Sequence, residues 1–196
     1  MSRLTFRFVR KEDATYLSAI YAYYVKETPI SFEYTPPSET EFATRIETIG
    51  SRYPYLVCEA DGVPVGYAYA SEFKPRVAYQ WDIETSIYIH REYHRMHIAS
   101  TFYELLFRIL EMQGYCKAYA LITTPNESSE TFHKTQGFET VGIFRKTGYK
   151  LGQWRDVVFM EKEIAPAESV PIAPIGINQL NRQTLEQMLE QFAVIQ

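Results

Sequence analysis

A carboxylate inside an apolar strand pattern, followed by a polar turn and a helix, is the first sign of chemistry in this sequence. Residues 81–90 alternate between one set that starts at Ile83 and a second that starts at Glu84. This period of two predicts a β-strand. Residues 98–113 then repeat apolar side chains at helical spacing. The first turn of a helix offers unpaired N–H groups and the positive end of the helix dipole, which favour phosphate oxygens. A base beside an anion site predicts acyl transfer from a phosphorylated carrier.

The composition predicts one domain with a modest appendage. The chain has 196 residues, is 46% hydrophobic and has a net charge of -4, whereas a nucleic-acid-binding surface needs a basic stripe. We expect no signal peptide in residues 1–7 and see no run of the roughly 20 apolar residues that a membrane span requires. Cys58 and Cys116 lie in apolar runs without metal-ligand spacing. We therefore expect buried thiols in a cytoplasmic protein.

The order of elements predicts an α/β protein with a mixed sheet. Helices are expected to begin near Asp13, Ser38, Ile98 and either Asn126 or Ser128, because cap residues precede helical spacing there. The strand–helix–strand unit over 81–122 predicts a parallel pair joined by a right-handed crossover, with helices on both faces. The predicted strands cover residues 5–9, 55–60, 63–70, 81–90, 115–122, 138–144 and 157–162.

The C-terminal residues differ in composition from the rest of the chain. Residues 165–179 are rich in proline, which is typical of a linker. Residues 180–196 repeat apolar side chains at helical spacing and predict an amphipathic helix. We therefore predict a domain over 1–164, a linker over 165–179 and a terminal helix over 180–196. This helix docks on the domain or on a second subunit, and an interaction module built on it is a further hypothesis.

Several short sequence blocks follow one another along the chain. They are Phe32-Glu33, residues 66–70, 78–81 and 84–89, Pro125-Asn126 with Ser129 and His133, Gly137-Phe138, and residues 148–157. Together and in this order they resemble the GNAT acetyltransferases and, within them, the phosphinothricin N-acetyltransferase group. The resemblance covers roughly residues 4–164. It implies the GNAT fold, a central mixed sheet of about seven strands flanked by helices on its faces.

The resemblance implies direct acetyl transfer from acetyl-CoA to the primary amine of a small amino acid or analogue, without a metal. It places the pantetheine arm along the backbone of the strand and the pyrophosphate at the turn before the helix. The residues implied in coenzyme binding are Ile87, Tyr88, Ile89, His94, Arg95, Met96, His97, Ile98, Ala99, Ser100, Asn126 and Ser129.

The turn departs from the family pattern Gln/Arg-x-x-Gly-x-Gly/Ala, because residues 94–99 read His-Arg-Met-His-Ile-Ala. Glycine serves where the backbone approaches a ligand closely or takes a positive φ. The Cβ of His97 either crowds the phosphate, or the imidazole donates a hydrogen bond to it. The departure also motivates an alternative function, a catalytically weakened CoA-binding or ligand-sensing relative.

The resemblance assigns Glu84 as the general base, because it falls where the group carries its proposed base. Burial in the strand raises the pKa of a carboxyl towards a useful range, although a solvated or ion-paired glutamate has the same sequence pattern. His133 is the implied general acid, with a half-buried helix histidine as the alternative and Tyr88 or Tyr149 as substitutes.

Further residues are candidates for the acceptor site. Basic and aromatic side chains of the loop before the key strand suit a carboxylate or phosphinate, and two aromatic residues upstream suit an apolar wall. In the resembled group residues 148–154 lie near a dimer interface, so we expect a homodimer. His90, His94 and His97 have no clear metal-ligand pattern, and Cys116 has no histidine nearby. The acceptor candidates are Phe32, Tyr34, Lys74, Arg76, Tyr79, Trp81 and Tyr149.

Overall fold

The protein is a mixed β-sheet between two layers of helices. The computed structural model describes residues 3–192 and 194–195, and within them eight strands form one sheet in the order β6-β7-β5-β4-β3-β2-β1-β8. The strands are β1 Arg3–Phe8, β2 Tyr55–Ala60, β3 Val63–Glu72, β4 Asp82–Ile89, β5 Lys117–Thr124, β6 Glu139–Lys150, β7 Gln153–Glu163 and β8 Val194–Ile195. The helices are α1 Ala14–Glu27, α2 Glu39–Gly50, α3 Ile98–Gln113, α4 Glu127–Thr135 and α5 Arg182–Glu190.

The predicted parallel pair is β4 and β5, joined through α3. The two strands pair at only three positions, Asp82 with Lys117, Ile83 with Ala118, and Glu84 with Tyr119. The other recorded pairings are antiparallel. Beyond Glu84 the two strands separate, which leaves a gap in the middle of the sheet.

The two faces of the sheet are packed differently. The face that carries Ile83, Ile87 and Ile89 packs against α3, and its core is aliphatic and phenylalanine-rich. The opposite face packs against α1 and α2 through tyrosines, with Tyr67 fully buried and Tyr88 in ring contact with it. The predicted alternation along β4 is therefore confirmed.

Local signals place most helix ends. Ser38 and Glu41 form the predicted capping box of α2, where the Glu41 N–H donates to Ser38 Oγ at 3.2 Å. Gly114 ends α3 at a φ of 90°, the left-handed conformation that glycine adopts without a Cβ penalty. We expected Asp13 to cap α1. Its side chain makes no cap hydrogen bond, because Arg7 binds the carboxylate instead.

Residues 165–192 pack on the domain rather than extending away from it. The Ile175 N–H donates to Gln113 O at 2.9 Å, and the Ile177 N–H donates to Arg52 O at 2.9 Å. Leu185 and Leu189 of α5 are buried in the α3-side core, and β8 pairs with β1. Of the two docking sites left open for the terminal helix, the structure shows the domain. In the described part of the chain no helix combines the length and the apolar character of a membrane span.

We expect Leu185→Ala to lower the free energy of unfolding by about 2–4 kcal/mol, because it removes a fully buried side chain of α5 from the core. The measurement is urea unfolding followed by circular dichroism. Gln187→Ala, at an exposed position of the same helix, is the control, with an expected change of at most about 0.5 kcal/mol. Equal midpoints for the two variants would mean that α5 adds nothing to the stability of the domain.

Candidate active site

The gap between β4 and β5 opens into a cavity of about 640 Å³. The separated ends of the two strands form two of its walls. Further lining comes from the loop over residues 28–37, from α4, β6 and β7, and from Tyr21, Tyr69 and Tyr103. Its described lining includes two carboxylates, Glu33 and Glu84, and contains no lysine or arginine. A concave, mostly apolar space with a few convergent polar groups is typical of a ligand site.

Glu84 lies where the parallel pairing stops, and its side chain lines the cavity. None of the ion pairs among the described residues includes it. Burial alone raises the pKa of its carboxyl above the ordinary value, because the charged form loses hydration. An unpaired, partly desolvated carboxylate at the cavity wall can accept a proton from a bound amine or from a water molecule.

His133 lies across the cavity on α4 with both ring nitrogens engaged. Its Nδ1 is 2.7 Å from Ser129 O, a pure acceptor, so Nδ1 carries the proton. Its Nε2 then accepts from the hydroxyl of Tyr103 at 2.7 Å. Burial lowers the pKa of the imidazole, which keeps it neutral. This arrangement favours His133 as an acceptor that orients Tyr103 over the predicted role of proton donor.

Tyr103 is a site residue that the sequence analysis did not single out. Its ring is 1% exposed, its hydroxyl lies 3.1 Å from Thr85 Oγ1, and it lines the cavity. Burial raises the pKa of its phenol far above the ordinary value, so the hydroxyl stays protonated. Tyr103 follows Phe102 and precedes Leu106 by three residues, a spacing that places it near the buried face of α3. A buried phenol needs a polar partner, so this position was the signal in the sequence that could have identified Tyr103.

The loop over residues 28–37 supplies another wall of the cavity that Glu84 lines. Phe32 lines the cavity as predicted, whereas Tyr34 is 70% exposed and lies outside it. Glu33 also lines the cavity, and its carboxylate accepts from Arg45 at 2.7 Å and from the Tyr21 hydroxyl at 3.1 Å. The contacts of Arg45 and Tyr21 with this loop join residues 12 positions apart, and no local pattern revealed them.

The strand expected to hold the coenzyme arm is partly satisfied by the protein itself. Ile87 and Tyr88 line the cavity, but the Ile89 carbonyl accepts from the Tyr24 hydroxyl at 2.5 Å and lies 3.1 Å from His94 Nε2. The His90 N–H donates to Val65 O of the neighbouring strand β3. Successive residues of a strand turn their backbone groups to opposite sides of the strand. The backbone groups of Ile87 therefore lie on the same side as those of Ile89, away from β3, and face the gap.

The turn after β4 has the backbone that a phosphate site requires. Arg95 and His97 both take left-handed conformations, with φ of 64° and 56°. His97 is exposed and makes no side-chain cap bond to α3. The helix therefore starts with the free N–H groups of its first turn, from Ile98 onward. Its positive end and the adjoining gap together fit a phosphorylated thioester. Asn126 and Ser129, which the resemblance assigns to coenzyme binding, line the cavity, and Asn126 caps α4.

The remaining acceptor candidates do not line this cavity. Arg76 and Tyr79 border a separate cavity of about 110 Å³, where the Lys74 ammonium lies 5.1 Å from the Tyr79 ring centroid. The Trp81 indole donates to Ile172 O at 2.8 Å, and Tyr149 is half exposed. The structure thus does not bring these side chains together with Glu84. Among the described residues no group of three histidine, cysteine or acidic side chains is arranged to hold a metal ion.

Both the sequence and the fold of this chain match those of known acetyltransferases. The family model described as Acetyltransferase (GNAT) domain matches residues 6–159. Phosphinothricin N-acetyltransferase of Streptomyces viridochromogenes is 34% identical over 154 residues, which is 78% of this chain and 84% of that protein. A GNAT superfamily phosphinothricin acetyltransferase from Sinorhizobium meliloti, solved in complex with AcCoA, has a TM-score of 0.79 at 35% identity. The alignment covers 85% of this chain and 95% of that one.

A more distant relative is the L-methionine sulfoximine/L-methionine sulfone acetyltransferase of Salmonella typhimurium. It is 25% identical over 165 residues, 82% of this chain and 95% of that protein. The chain belongs to the GNAT acetyltransferases, a family that uses acetyl-CoA. The predicted family, fold and co-substrate are therefore confirmed.

Tyr103→Phe should raise the pKa of His133, because it removes the hydroxyl that donates to Nε2 and so stabilises the neutral imidazole. The measurement is a pH titration of the histidine ring signals by NMR. Tyr16→Phe, at an exposed position of α1, should leave the titration unchanged. A His133 pKa that stays fixed in Tyr103→Phe would mean that the phenol donates elsewhere.

His97→Gly should raise the free energy of unfolding by about 1 kcal/mol, because it relieves a left-handed residue that carries a Cβ. His90→Gly is the matched control at a φ of −57°, where glycine should cost about 0.5–1 kcal/mol. Denaturant unfolding compares the two, and a loss of stability in both would disprove the strain.

Calorimetric titration of the His97 variant with CoA also separates the two roles of this side chain: tighter binding identifies an obstruction, and weaker binding identifies a hydrogen bond.

Proposed function

We propose that the chain acetylates the primary amine of a small amino acid or amino-acid analogue, with acetyl-CoA as donor and Glu84 as general base. The observation that carries this proposal is the unpaired Glu84 carboxylate in the cavity where β4 and β5 separate. The relatives named for phosphinothricin and for methionine sulfoximine and sulfone support an acceptor of this class.

Glu84 prepares the nucleophile. An amino group with an ordinary pKa of about 8 to 10 is mostly protonated at neutral pH and must lose a proton before it attacks. The Glu84 carboxylate takes that proton, directly or through one water molecule, and its raised pKa makes it a stronger base than an exposed glutamate. When bound, acetyl-CoA supplies the acetyl group as a thioester, whose C–S bond breaks as the amine nitrogen–carbonyl bond forms.

Tyr103 and His133 form the polar wall across the cavity from Glu84. The phenol stays protonated, so it acts by donating a hydrogen bond to developing negative charge rather than by giving up its proton. His133 orients the phenol through Nε2 and acts as a positioning residue in this scheme. A protonated His133 as general acid stays a prediction, and it requires a proton on Nε2 that the lowered pKa of the imidazole opposes.

The acidic group of the acceptor has no cationic side chain among the described residues that line this cavity. Its recognition by Arg76, Lys74, Tyr79 and Trp81 therefore stays a prediction. A homodimer stays a prediction as well, supported by exposed apolar side chains along β6 and β7 such as Phe144 and Trp154, since contiguous apolar surface often marks an interface. The cytoplasmic location is likewise a prediction.

The alternative of a weakened CoA sensor depended on His97. The left-handed φ of this residue means that the turn keeps the backbone conformation for which glycine is suited, so the substitution alone does not remove the phosphate site. We therefore favour the enzyme. An assay of thiol release from acetyl-CoA with a panel of amino acids and analogues distinguishes the two functions, because a sensor binds CoA but releases no thiol with any amine.

Glu84→Gln should lower kcat at neutral pH by about 100-fold, the usual contribution of a general base. The loss should shrink as pH rises, because a growing fraction of the amine is already deprotonated. In the wild type kcat/KM should fall as pH drops through the raised pKa of Glu84. Thiol release across a pH series gives both profiles. Glu139→Gln, at an exposed position at the start of β6, is the control. A wild-type rate for Glu84→Gln would exclude Glu84 as the base.

A further inference from the structure

The C-terminal end of β6 holds the loop over residues 28–37 at three successive positions. The Phe32 ring lies directly on Gly148, the Tyr34 hydroxyl donates to Tyr149 O, and the Lys150 ammonium donates to Glu33 O. We call residues 148–150 the β6 clamp. Its contacts join residues more than 110 positions apart in the sequence, so they fix the loop relative to the far side of the cavity.

The contact at Gly148 leaves no space for any larger side chain. A Cβ placed on Gly148 would lie 2.8 Å from Phe32 Cδ2 and closer still to Cε2 and Cζ. The φ of Gly148 lies outside the left-handed region, so the backbone itself does not require glycine there. The position of the Phe32 ring explains why residue 148 is glycine, and that ring lines the cavity.

Lys150 is an unusual partner for a loop. Its side chain is 3% exposed, yet none of the ion pairs among the described residues includes it. The ammonium contacts the Glu33 carbonyl and lies 5.5 Å from the Tyr34 ring centroid. Burying a lysine in this way costs hydration that an apolar side chain would not lose. The residue thus gives the fold little stability, and its specific contribution is a hydrogen bond to the backbone of the cavity wall.

The loop is held from its other side as well. The Glu33 carboxylate is bound by Arg45 of α2 and by Tyr21 of α1, while its carbonyl is bound by the clamp. Phe32 and Glu33 therefore sit between two fixed supports, and the supports set their distance from Glu84.

We propose that Gly148 and Lys150 are positioning residues for the acceptor: they hold Phe32 and Glu33 as the wall against which the amine is oriented towards Glu84. This inference rests on the proposed function. A displaced wall loses contacts that the acceptor makes in the ground state and the transition state alike, so the KM for the acceptor rises more than kcat falls. They leave the phosphate site at the start of α3 unchanged.

The test compares Gly148→Ala with Gly142→Ala. Both are glycines of β6 outside the left-handed region, but a Cβ on Gly142 meets nothing within 4 Å. Gly148→Ala should raise the KM for the acceptor by about 10-fold or more, with a smaller change in kcat and with CoA affinity by calorimetry within about twofold of wild type. Gly142→Ala should match the wild type in all three. Equal KM values for the two variants would overturn the proposal.

Lys150→Met tests the second contact, because it keeps the volume and removes the donor. It should raise the KM in the same direction, Lys150→Arg should restore part of the loss, and the double variant with Gly148→Ala should be less than additive, since both act on one loop. Full additivity would contradict a shared role.

Hydrogen exchange gives a readout that does not depend on activity. Amides of residues 28–37 should exchange faster in Gly148→Ala and Lys150→Met than in Gly142→Ala. If the wild type acetylates no amine, the proposed function fails, and this comparison still decides whether the clamp holds the loop. Unchanged exchange in both variants would disprove it.

Discussion

The end of pairing between β4 and β5 is the constraint on which the rest of the site depends. A buried backbone group without a partner is costly, so the residues of β4 beyond Glu84 whose backbone groups face the gap, Thr85, Ile87 and Ile89, need a substitute for the lost strand. At Ile89 the protein supplies one, the Tyr24 hydroxyl together with His94. At Ile87 the gap remains open towards the cavity. The separation of these two strands thus creates both the space for a ligand and the backbone groups that can bind it.

Two other partly buried carboxylates differ from Glu84 because each has a cationic partner. Asp13 and Glu59 are also shielded from water, and both bind Arg7, whose guanidinium lies 2.7 Å from Asp13 and 2.6 Å from Glu59. Pairing of this kind offsets the cost of burial. Glu84 has no such partner, so its burial is uncompensated. An uncompensated carboxylate in a cavity is a disadvantage for stability, and it is the arrangement that a general base requires.

Sequence patterns predicted the features that depend on residues close together in the chain and missed those that depend on distant residues. The alternation of β4 and the helix start at Ser38 are local patterns, and each was confirmed. The β6–β7 hairpin extends through residues 145–156, which the pattern left unassigned, because its register depends on cross-strand pairs and a turn at Leu151 and Gly152. The packing of residues 165–192 and the partners of Glu33 depend on distant contacts that periodicity does not encode.

The same distinction divides the site itself. One wall of the cavity, residues 84–88, belongs to a continuous stretch of strand, turn and helix start that a motif can describe. Other walls are assembled from the loop over 28–37 and from β6 and β7, and the loop is held by side chains of α1, α2 and β6. Changes in those segments leave the phosphate turn intact. Relatives named for phosphinothricin and for methionine sulfoximine can therefore share one fold and one donor site. Sequence motifs identify the family because they lie in continuous stretches, whereas the loop and strand ends that complete this cavity are brought together by long-range packing that motifs do not encode.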